Sequence, residues 1–339
     1  MAGYDLKEGK YKEINATTDE LWSALLGVFS PNSHKATTYK FGFLKSIIDN
    51  LYNIDINYFL TFDQLFSKYT EIYWNLILKY NLLQKPVDKN KKESKIEKIL
   101  YGAQSKYSLK ENIPFESLPE QVKQEIIADV KKECKQNVIG ALFYDTQKMF
   151  YSFSKSDEWI QINPLMYDFI CKHKLMIEKI NYFEWAKFLE KVNTETTTPQ
   201  LLSKLDASSK RNNLSIYREI LHKEFGFHTC FYCGKNLKQS RIEVDHFIPW
   251  AFIKDDNIWN FVLACPECNR SKNDKLPDLI YLDALIERND NLLLEYIEKN
   301  NIHYNNDTLR HIYEWAKLNG YNKTWKKRSY CKSKVSVLE

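Results

Sequence analysis

The chain has 339 residues, of which 44% are apolar and 27% are charged, and its formal net charge is +5. This length is enough for a substantial core and predicts about two domains. No stretch approaches the roughly 20 consecutive apolar residues of a membrane-spanning helix, which argues against a membrane protein. The opening residues, MAGYDLKEGKYKEIN, lack the apolar core of a signal peptide, so we expect a cytoplasmic protein.

The first part of the chain predicts mainly helices. Thr17 and Glu20 have the spacing of a capping box before the apolar run LWSALLGVF. TYKFGFLKSIIDNLYN and FDQLFSKYTEIYWNLILKYNLL have helical periodicity, and we expect their aromatic residues to pack in a core. The alternative for these aromatics is a base-stacking platform. Further helices are predicted near Lys95–Tyr101 and from Pro119 onward.

The pattern changes after these helices. VIGALFYD, KMFYSFS and EWIQI are short and rich in aromatic and β-branched residues, which predicts a small antiparallel sheet or hairpin. Helices followed by such strands also permit a winged-helix-like DNA reader. PLMYDFICKHKLMIEKI and YFEWAKFLEKVN then predict two more helices. The polar stretch TETTTPQ is the predicted linker at residues 194–200, between a mostly helical targeting or regulatory domain at 1–193 and a second domain at 201–339.

Two Cys-x-x-Cys pairs occur in the second domain. They are Cys230, Cys233, Cys265 and Cys268. A tetrahedral zinc site requires four such ligands, and four thiolates leave no open position, so the pairs predict one structural Zn²⁺. The 31 residues between the pairs exceed the about 15–20 of a simple ribbon, which indicates a folded insert. The remaining cysteines are expected to be free thiols: Cys134, Cys171 and Cys331.

The insert carries the residues with catalytic chemistry, within a core at residues 228–277. RIEVDH alternates polar and apolar residues and predicts a strand that ends at His246. PECNRSKNDK predicts a helix that begins at Pro266. A strand, a loop and a helix around one metal form a ββα-metal layout.

The spacing of the polar residues in this segment resembles that of the HNH endonuclease family. Asp245-His246 is followed by Asn260 after fourteen residues and by Asn269 nine residues later, within Cys-Asn-x-x-Lys. The cysteines are similar to those of the zinc-stapled branch, and Asn269 stands where the family name has its final His. DHFIPWAFIKDDNIWN is also similar to the HNH domain of RNA-guided CRISPR effector nucleases.

The resemblance implies a role for each matching residue. His246 would be the general base, and Asp245 and Asn269 would hold one catalytic Mg²⁺ or Mn²⁺. An amide oxygen favours a hard ion such as Mg²⁺. Asn260 would orient His246 or order its loop, and it is counted with the catalytic set. Arg270 and Lys272 would face phosphate oxygens.

A basic cluster near the C-terminus is a second candidate for nucleic-acid contact. Its members are Lys323, Lys326, Lys327, Arg328, Lys332 and Lys334, of which we assign Lys326, Lys327 and Arg328 to phosphate binding. The alternative is a solvated terminus without a ligand.

The expected fold class is α+β, mostly α, with a small antiparallel β element in the first domain. The second domain is expected to be a ββα-metal nuclease domain with a four-cysteine zinc site and a helical cover. The resemblance implies a metal-dependent endonuclease acting on double-stranded DNA, in restriction or antiviral defence. Alternatives are a nicking or RNA-cleaving enzyme with the same site, and a zinc-stapled nucleic-acid-binding module without catalysis. A homodimer, or a protein or ligand activator acting through the first domain, is the further partner expected.

Overall fold

The computed structural model describes residues 5–13, 15–87, 93–209, 214–237, 241–300 and 302–327. The chain divides into two compact units, Met1–Lys210 and Arg211–Glu339. The secondary structure of the two units confirms the expected α+β, mostly α, class. The chain is mostly helical with small sheets, and the second unit carries a ββα element. Among the described residues, no helix is both long and apolar enough to cross a membrane.

Helices form most of the first unit. They are α1 (Thr18–Leu26), α2 (Tyr39–Asp49), α3 (Phe62–Trp74), α4 (Lys95–Lys106), α5 (Glu120–Cys134), α6 (Val138–Asp145), α7 (Pro164–Val192) and α8 (Leu201–Asp206). The predicted capping box starts α1, since Thr17 N donates to Glu20 Oε2 at 2.7 Å and Glu20 N donates to Thr17 Oγ1 at 3.3 Å. Thr61 and Ser94 cap α3 and α4 in the same way.

The aromatic residues of α3 lie in the core of this unit. Tyr69 and Tyr73 are fully buried, with ring centroids 4.6 Å apart. Trp185 of α7 packs on Tyr73 at a centroid distance of 5.8 Å. The expectation of core packing is therefore confirmed for these rings, and their burial removes the surface that a base-stacking platform requires.

A four-stranded antiparallel sheet completes the first unit. Its strands are β1 (Glu8–Gly9), β2 (Phe59–Thr61), β3 (Tyr151–Ser154) and β4 (Trp159–Ile162), in the order β1-β3-β4-β2. The hairpin β3–β4 pairs Tyr151 with Ile162 and Ser154 with Trp159, so the strands predicted from KMFYSFS and EWIQI are confirmed. The sheet has four strands, which differs from the two-stranded ribbon of a winged helix.

The strand predicted from VIGALFYD is wrong, because this segment forms the helix α6. Its buried apolar residues are Val138, Ile139, Leu142 and Phe143, which is the spacing of one helical face. A short apolar run fits a buried strand and a buried helix equally well, so periodicity alone does not separate them. In the structure, α6 packs against α2 and β3.

The span α7 contains two helices, as predicted, but they meet at a kink at His173, where the backbone angles are non-helical (φ −118°, ψ 16°). The helix continues through Asn181, where we expected a break. Asn181 is buried, and its Nδ2 donates to the carbonyl of Phe41 on α2 at 3.1 Å. An asparagine that hydrogen-bonds to a neighbouring helix does not compete with its own backbone, and the helix therefore persists.

Residues 201–209 lie with the first unit. Asn75 Nδ2 donates to the carbonyl of Ser208 at 2.9 Å, and Ser209 Oγ donates to Asp49 Oδ2 at 2.8 Å. Lys45 Nζ contacts both carboxylate oxygens of Asp49 and is 3.1 Å from Ser209 Oγ in the same buried cluster. The division into units accordingly falls between Lys210 and Arg211, after the linker expected at 194–200.

The second unit is built around a two-stranded antiparallel sheet. Its helices are α9 (Ser215–Glu219), α10 (Trp250–Ile253), α11 (Pro266–Lys272), α12 (Leu279–Arg288), α13 (Leu294–Lys299) and α14 (Asn306–Leu318). Its strands are β5 (Glu243–His246), β6 (Phe261–Ala264), β7 (Leu276–Pro277) and β8 (Thr324–Trp325), with β5 paired to β6 and β7 paired in parallel to β8. The strand expected to end at His246 and the helix expected to begin at Pro266 are both confirmed.

Candidate active site

The ββα element brings the two ends of the predicted motif together. β5 and β6 pair Asp245 with Val262 and His246 with Phe261. α11 follows β6 directly, with Pro266 in its first turn, where the missing N–H of proline costs no hydrogen bond. The carboxylate and imidazole at the end of β5 therefore lie beside the residues of α11.

The four cysteines form one cluster. Their Sγ atoms all lie within 4.8 Å of one another, and the Sγ atoms of Cys233 and Cys265 are 3.9 Å apart. Four sulfurs at about 2.3 Å from a tetrahedral Zn²⁺ are separated by about 3.8 Å, so the donor set fits a zinc ion. Gly234 adopts φ +68° and donates its N–H to the carbonyl of Cys230 at 2.8 Å, which closes the first knuckle. The cluster is thus suited to a structural zinc site.

His246 is paired with Asp256. Its Nε2 lies 2.8 Å from Asp256 Oδ1, and only 6% of the histidine is exposed. The ring of Phe261 packs edge-to-face on the imidazole at a centroid distance of 4.7 Å. The carboxylate fixes Nε2 as the protonated nitrogen, so Nδ1 is the nitrogen that can accept a proton.

Asp245 is held by two partners. The hydroxyl of Tyr232 donates to Oδ2 at 2.5 Å, and Lys272 Nζ lies 3.1 Å from each carboxylate oxygen. Burial raises the pKa of Asp245, while the nearby Lys272 ammonium and the Tyr232 hydrogen bond act in the opposite direction. The side chain therefore has a fixed orientation and a positive charge beside it.

The sequence predicts that Lys272 contacts phosphate, but the structure places its ammonium group among oxygen atoms of the protein. It is 1% exposed, and besides Asp245 its Nζ donates to the carbonyls of His246 at 2.8 Å and Asn273 at 3.3 Å. An ammonium group has three donors, and these oxygens engage it within the protein. Its position indicates charge balance for Asp245 in place of phosphate binding.

Asn260 lies behind the cleft. Its Oδ1 accepts from the N–H of Ile248 at 2.8 Å, and its Nδ2 donates to the carbonyl of the same residue at 2.9 Å. The backbone N–H of Phe247 donates to the carbonyl of Asn260 at 2.8 Å. Of the two roles considered for Asn260, this geometry corresponds to ordering the loop after His246.

Asn269 and Arg270 project from α11. Asn269 Nδ2 donates to Glu243 Oε2 at 2.8 Å, which leaves its Oδ1 as a candidate ligand atom. Arg270 is exposed, and its Nε donates to the carbonyl of Pro266 at 3.1 Å. Two guanidinium nitrogens remain at the end of this side chain beyond Nε.

A cleft of about 210 Å³ joins these groups. Its lining includes Asp245, His246, Asn269, Arg270 and Lys272, together with Pro249, Trp250, Asn273 and Asp274. Asn260 is absent from this lining. The structure thus gathers one imidazole, two carboxylates, two amides and two basic side chains at one depression.

The basic cluster of the C-terminal region is described only as far as residue 327. Lys327 is paired with Glu267, and Lys326 Nζ lies 4.0 Å from Asp278 Oδ1. Trp325 is 7% exposed and packs on Tyr232 and Tyr281. Arg328, Lys332 and Lys334 lie outside the described residues, as does Cys331.

Three residues of the site were missed in the sequence: Tyr232, Glu243 and Asp256. Tyr232 is the second of the two residues between the cysteines of the first knuckle, and Glu243 faces α11 from β5. Asp256 lies in the loop between α10 and the 3₁₀ turn Ile258–Asn260. The one available signal was the acidic pair Asp255-Asp256 ten residues after His246, which spacing alone does not assign to the imidazole.

Two comparisons with known proteins, one with solved structures and one with family models, bear on this site. No solved structure matches the chain. The family model described as HNH endonuclease matches residues 230–278, a span that runs from the first zinc-site cysteine to the residue before α12. The second unit of this chain therefore carries an HNH endonuclease domain at residues 230–278.

Proposed function

We propose that the chain is a metal-dependent DNA endonuclease that hydrolyses phosphodiester bonds through a single divalent ion. The observation that carries this proposal is the cleft, which is lined by His246, the partner of Asp256, together with Asp245 and Asn269, whose side-chain oxygens could bind a divalent ion. A general base and an oxygen-rich ion site together are what hydrolysis of a phosphodiester requires.

His246 is the proposed base. A neutral imidazole has one ring nitrogen without a proton, and this nitrogen can accept a proton from the attacking water. Asp256 accepts the hydrogen bond from Nε2–H and thereby directs Nδ1 as the accepting atom. It also stabilises the imidazolium that forms when the proton arrives.

Asp245 and Asn269 are the proposed ligands of the divalent ion. Both side chains offer hard oxygen donors, which suit Mg²⁺ or Mn²⁺. When bound, the ion would polarise the scissile phosphate and stabilise negative charge on the leaving oxygen. Lys272 balances the charge of Asp245, and the hydrogen bond from Asn269 to Glu243 fixes the direction of the amide.

Arg270 is the proposed phosphate contact at the cleft. Its exposed guanidinium can donate two further hydrogen bonds to phosphate oxygens, and such charge-assisted bonds are the stronger kind. The cluster at Lys326 and Lys327 would add sequence-independent attraction for the backbone of the nucleic acid.

Cleavage of supercoiled plasmid tests the proposal. Wild type, His246→Ala and the control His303→Ala are incubated with Mg²⁺, with Mn²⁺ or without added ion. We expect ion-dependent nicking or linearisation by wild type and by His303→Ala, because His303 is an exposed residue outside the cleft. His246→Ala should reduce cleavage by about 10²–10⁴-fold, the usual contribution of a general base.

Further substrates separate the alternatives. Preference for single-stranded RNA over DNA would favour the RNA-cleaving enzyme, and nicks without linear product would favour a nickase that needs a homodimer for both strands. A zinc-loaded chain that binds DNA and cleaves none of these substrates would favour the binding module. A role in restriction or antiviral defence predicts reduced phage plating on cells that express wild type but not His246→Ala.

A further inference from the structure

Tyr232 connects the zinc-site knuckle to the proposed ion ligand. It stands between Cys230 and Cys233 and is fully buried. Its hydroxyl donates to Asp245 Oδ2 at 2.5 Å. One side chain of the knuckle therefore reaches directly to the carboxylate at the end of β5.

The ring of Tyr232 is confined by other aromatic rings. Tyr281 of α12 and Trp325 of β8 pack on it edge-to-face at centroid distances of 5.3 and 5.1 Å. Trp325 is itself fixed to α11, because its Nε1 donates to Ser271 Oγ at 2.7 Å. A buried ring with neighbours on two sides keeps one rotamer, so the hydroxyl points constantly at Asp245.

The two partners of Asp245 act differently on this side chain. Lys272 contributes charge, and its Nζ is shared between both carboxylate oxygens and two backbone carbonyls. Tyr232 contributes a single directed hydrogen bond from a rigid ring to Oδ2 alone. A carboxylate that binds a metal must have a fixed orientation. Removal of a hydrogen-bonding partner that orients such a ligand typically lowers the metal affinity 10–100-fold.

We propose that Tyr232 is a positioning residue that orients Asp245 for the divalent ion and makes ion binding depend on an intact zinc knuckle. This inference rests on the proposed function, in which Asp245 is an ion ligand. Loss of zinc would release the backbone of Cys230 and Cys233 and with it the Tyr232 hydroxyl. The zinc ion would then be structural for the fold and would also support the second ion site at a distance.

Mn²⁺ binding to the full chain without nucleic acid tests the inference, measured by calorimetry and by electron paramagnetic resonance. The variants are Tyr232→Phe, Asp245→Asn and the matched control Tyr281→Phe, whose ring is in the same cluster while its hydroxyl accepts from Lys327 N at 3.3 Å. Zinc content and thermal unfolding are measured on each. We expect Tyr232→Phe to retain zinc, to melt close to wild type and to bind Mn²⁺ about 10–100-fold more weakly.

The same measurements identify which part has failed. Wild-type Mn²⁺ affinity in Tyr232→Phe, combined with its loss in Asp245→Asn, overturns the role of Tyr232 and leaves the proposed function in place. Wild-type affinity in Asp245→Asn overturns both, since Asp245 is then not a ligand. An equal loss in Tyr281→Phe and Tyr232→Phe also overturns the inference, because the effect would belong to ring packing.

A second variant covers the case in which Tyr232→Phe loses zinc or unfolds. A fluorinated tyrosine at position 232 keeps the ring and the hydroxyl while it changes the strength of the hydrogen bond to Asp245. We expect an unchanged zinc content and a several-fold change in Mn²⁺ affinity. An unchanged affinity in this protein would overturn the inference.

Discussion

The imidazole of His246 and the carboxylate of Asp256 form a buried hydrogen-bonded pair, with Nε2 and Oδ1 2.8 Å apart. The pair joins the end of β5 to a loop ten residues further along the chain. Because the carboxylate determines which ring nitrogen carries the proton, the proposed role of His246 as a base would depend on Asp256, a residue outside the positions that carry the resemblance to the HNH family.

Replacement of Asp256 by asparagine is the first prediction. The amide keeps the size of the side chain and removes the charge that holds the tautomer and stabilises the imidazolium. We expect the turnover number of plasmid cleavage to fall by about 10²–10⁴-fold. Mn²⁺ binding without DNA should stay at the wild-type level, because Asp256 is paired with His246 and not with Asp245.

Asp255→Asn is the matched control for this prediction. Asp255 lies in the same loop, and its Oδ2 accepts from Asn257 Nδ2 at 3.3 Å. We expect cleavage by this variant to stay close to wild type. Wild-type turnover in Asp256→Asn would show that His246 needs no carboxylate partner.

The second prediction concerns the cysteine cluster. Cys265→Ser replaces one of four thiolates, and the site would then hold zinc with three sulfur ligands and a weak oxygen. Since zinc binding and folding are coupled in such small domains, we expect loss of zinc and destabilisation of the second unit. Zinc content by mass spectrometry and the thermal unfolding profile check this outcome.

Cys134→Ser provides the comparison, because Cys134 is a buried thiol of α5 in the first unit. It should keep one zinc per chain although it loses some stability from core packing. Full zinc and full cleavage activity in Cys265→Ser would contradict the assignment of the cluster as a zinc site.

The third prediction follows from the burial of Lys272. Lys272→Met removes the ammonium beside Asp245 and leaves that carboxylate buried without its charged partner. Breaking such a pair costs about 3–5 kcal/mol of unfolding free energy. Mg²⁺ should restore part of this loss, since the proposed ion would take over the neutralisation of Asp245.

Urea denaturation with and without Mg²⁺ measures the effect. Lys275→Met is the control, because Lys275 is exposed and its Nζ donates to the carbonyl of Ser271 at 3.3 Å. We expect little change in that variant. An equal loss of stability in the presence and absence of Mg²⁺ for Lys272→Met would argue against an ion at Asp245.

Signals that are local in the sequence predicted the frame of the site. The two Cys-x-x-Cys pairs bring their own turns, and Pro266 marks a helix start because its fixed φ suits the first turn. The alternation in RIEVDH predicts the strand β5, although burial in this strand increases towards its end, from half-buried Glu243 and Val244 to buried Asp245 and His246. Each of these features depends on a few neighbouring residues.

The features of the site that the sequence did not predict depend on contacts between segments that are distant in the chain. Asp256 reaches His246 only because α10 and the turn at Ile258–Asn260 fold the loop back, and Lys254 adopts left-handed angles (φ +58°) on the way. In the sequence, nothing distinguishes Tyr232 from any other residue of a zinc knuckle, because its contact with Asp245 forms only in the folded domain. The strand predicted from VIGALFYD is wrong for a related reason. Whether a short apolar run forms a strand or a helix depends on the elements that pack against it, and the periodicity of the run does not reveal those contacts.

The last prediction concerns stability at alkaline pH. Burial raises the pKa of Tyr73, Tyr151 and Tyr182 in the first unit well above the ordinary value of a phenol. In the unfolded chain these phenols ionise near pH 10, roughly the model-peptide value, whereas in the folded chain they stay protonated. Below that pH both states hold the proton, and above it the unfolded state binds fewer protons than the folded state.

Folded stability should therefore fall as the pH rises above about 10, by about 1.4 kcal/mol per pH unit for each such phenol. Urea denaturation of the full chain across this range, with phenolate absorbance as a second signal, measures the slope. Tyr151→Phe should reduce the slope by the share of one phenol, although it also loses the hydrogen bond to the carbonyl of Ile139 at 2.6 Å. Tyr144→Phe, at a side chain that is 37% exposed, is the control. A slope that is the same in wild type and Tyr151→Phe would contradict the prediction, because the buried phenol would then contribute no proton difference between the two states.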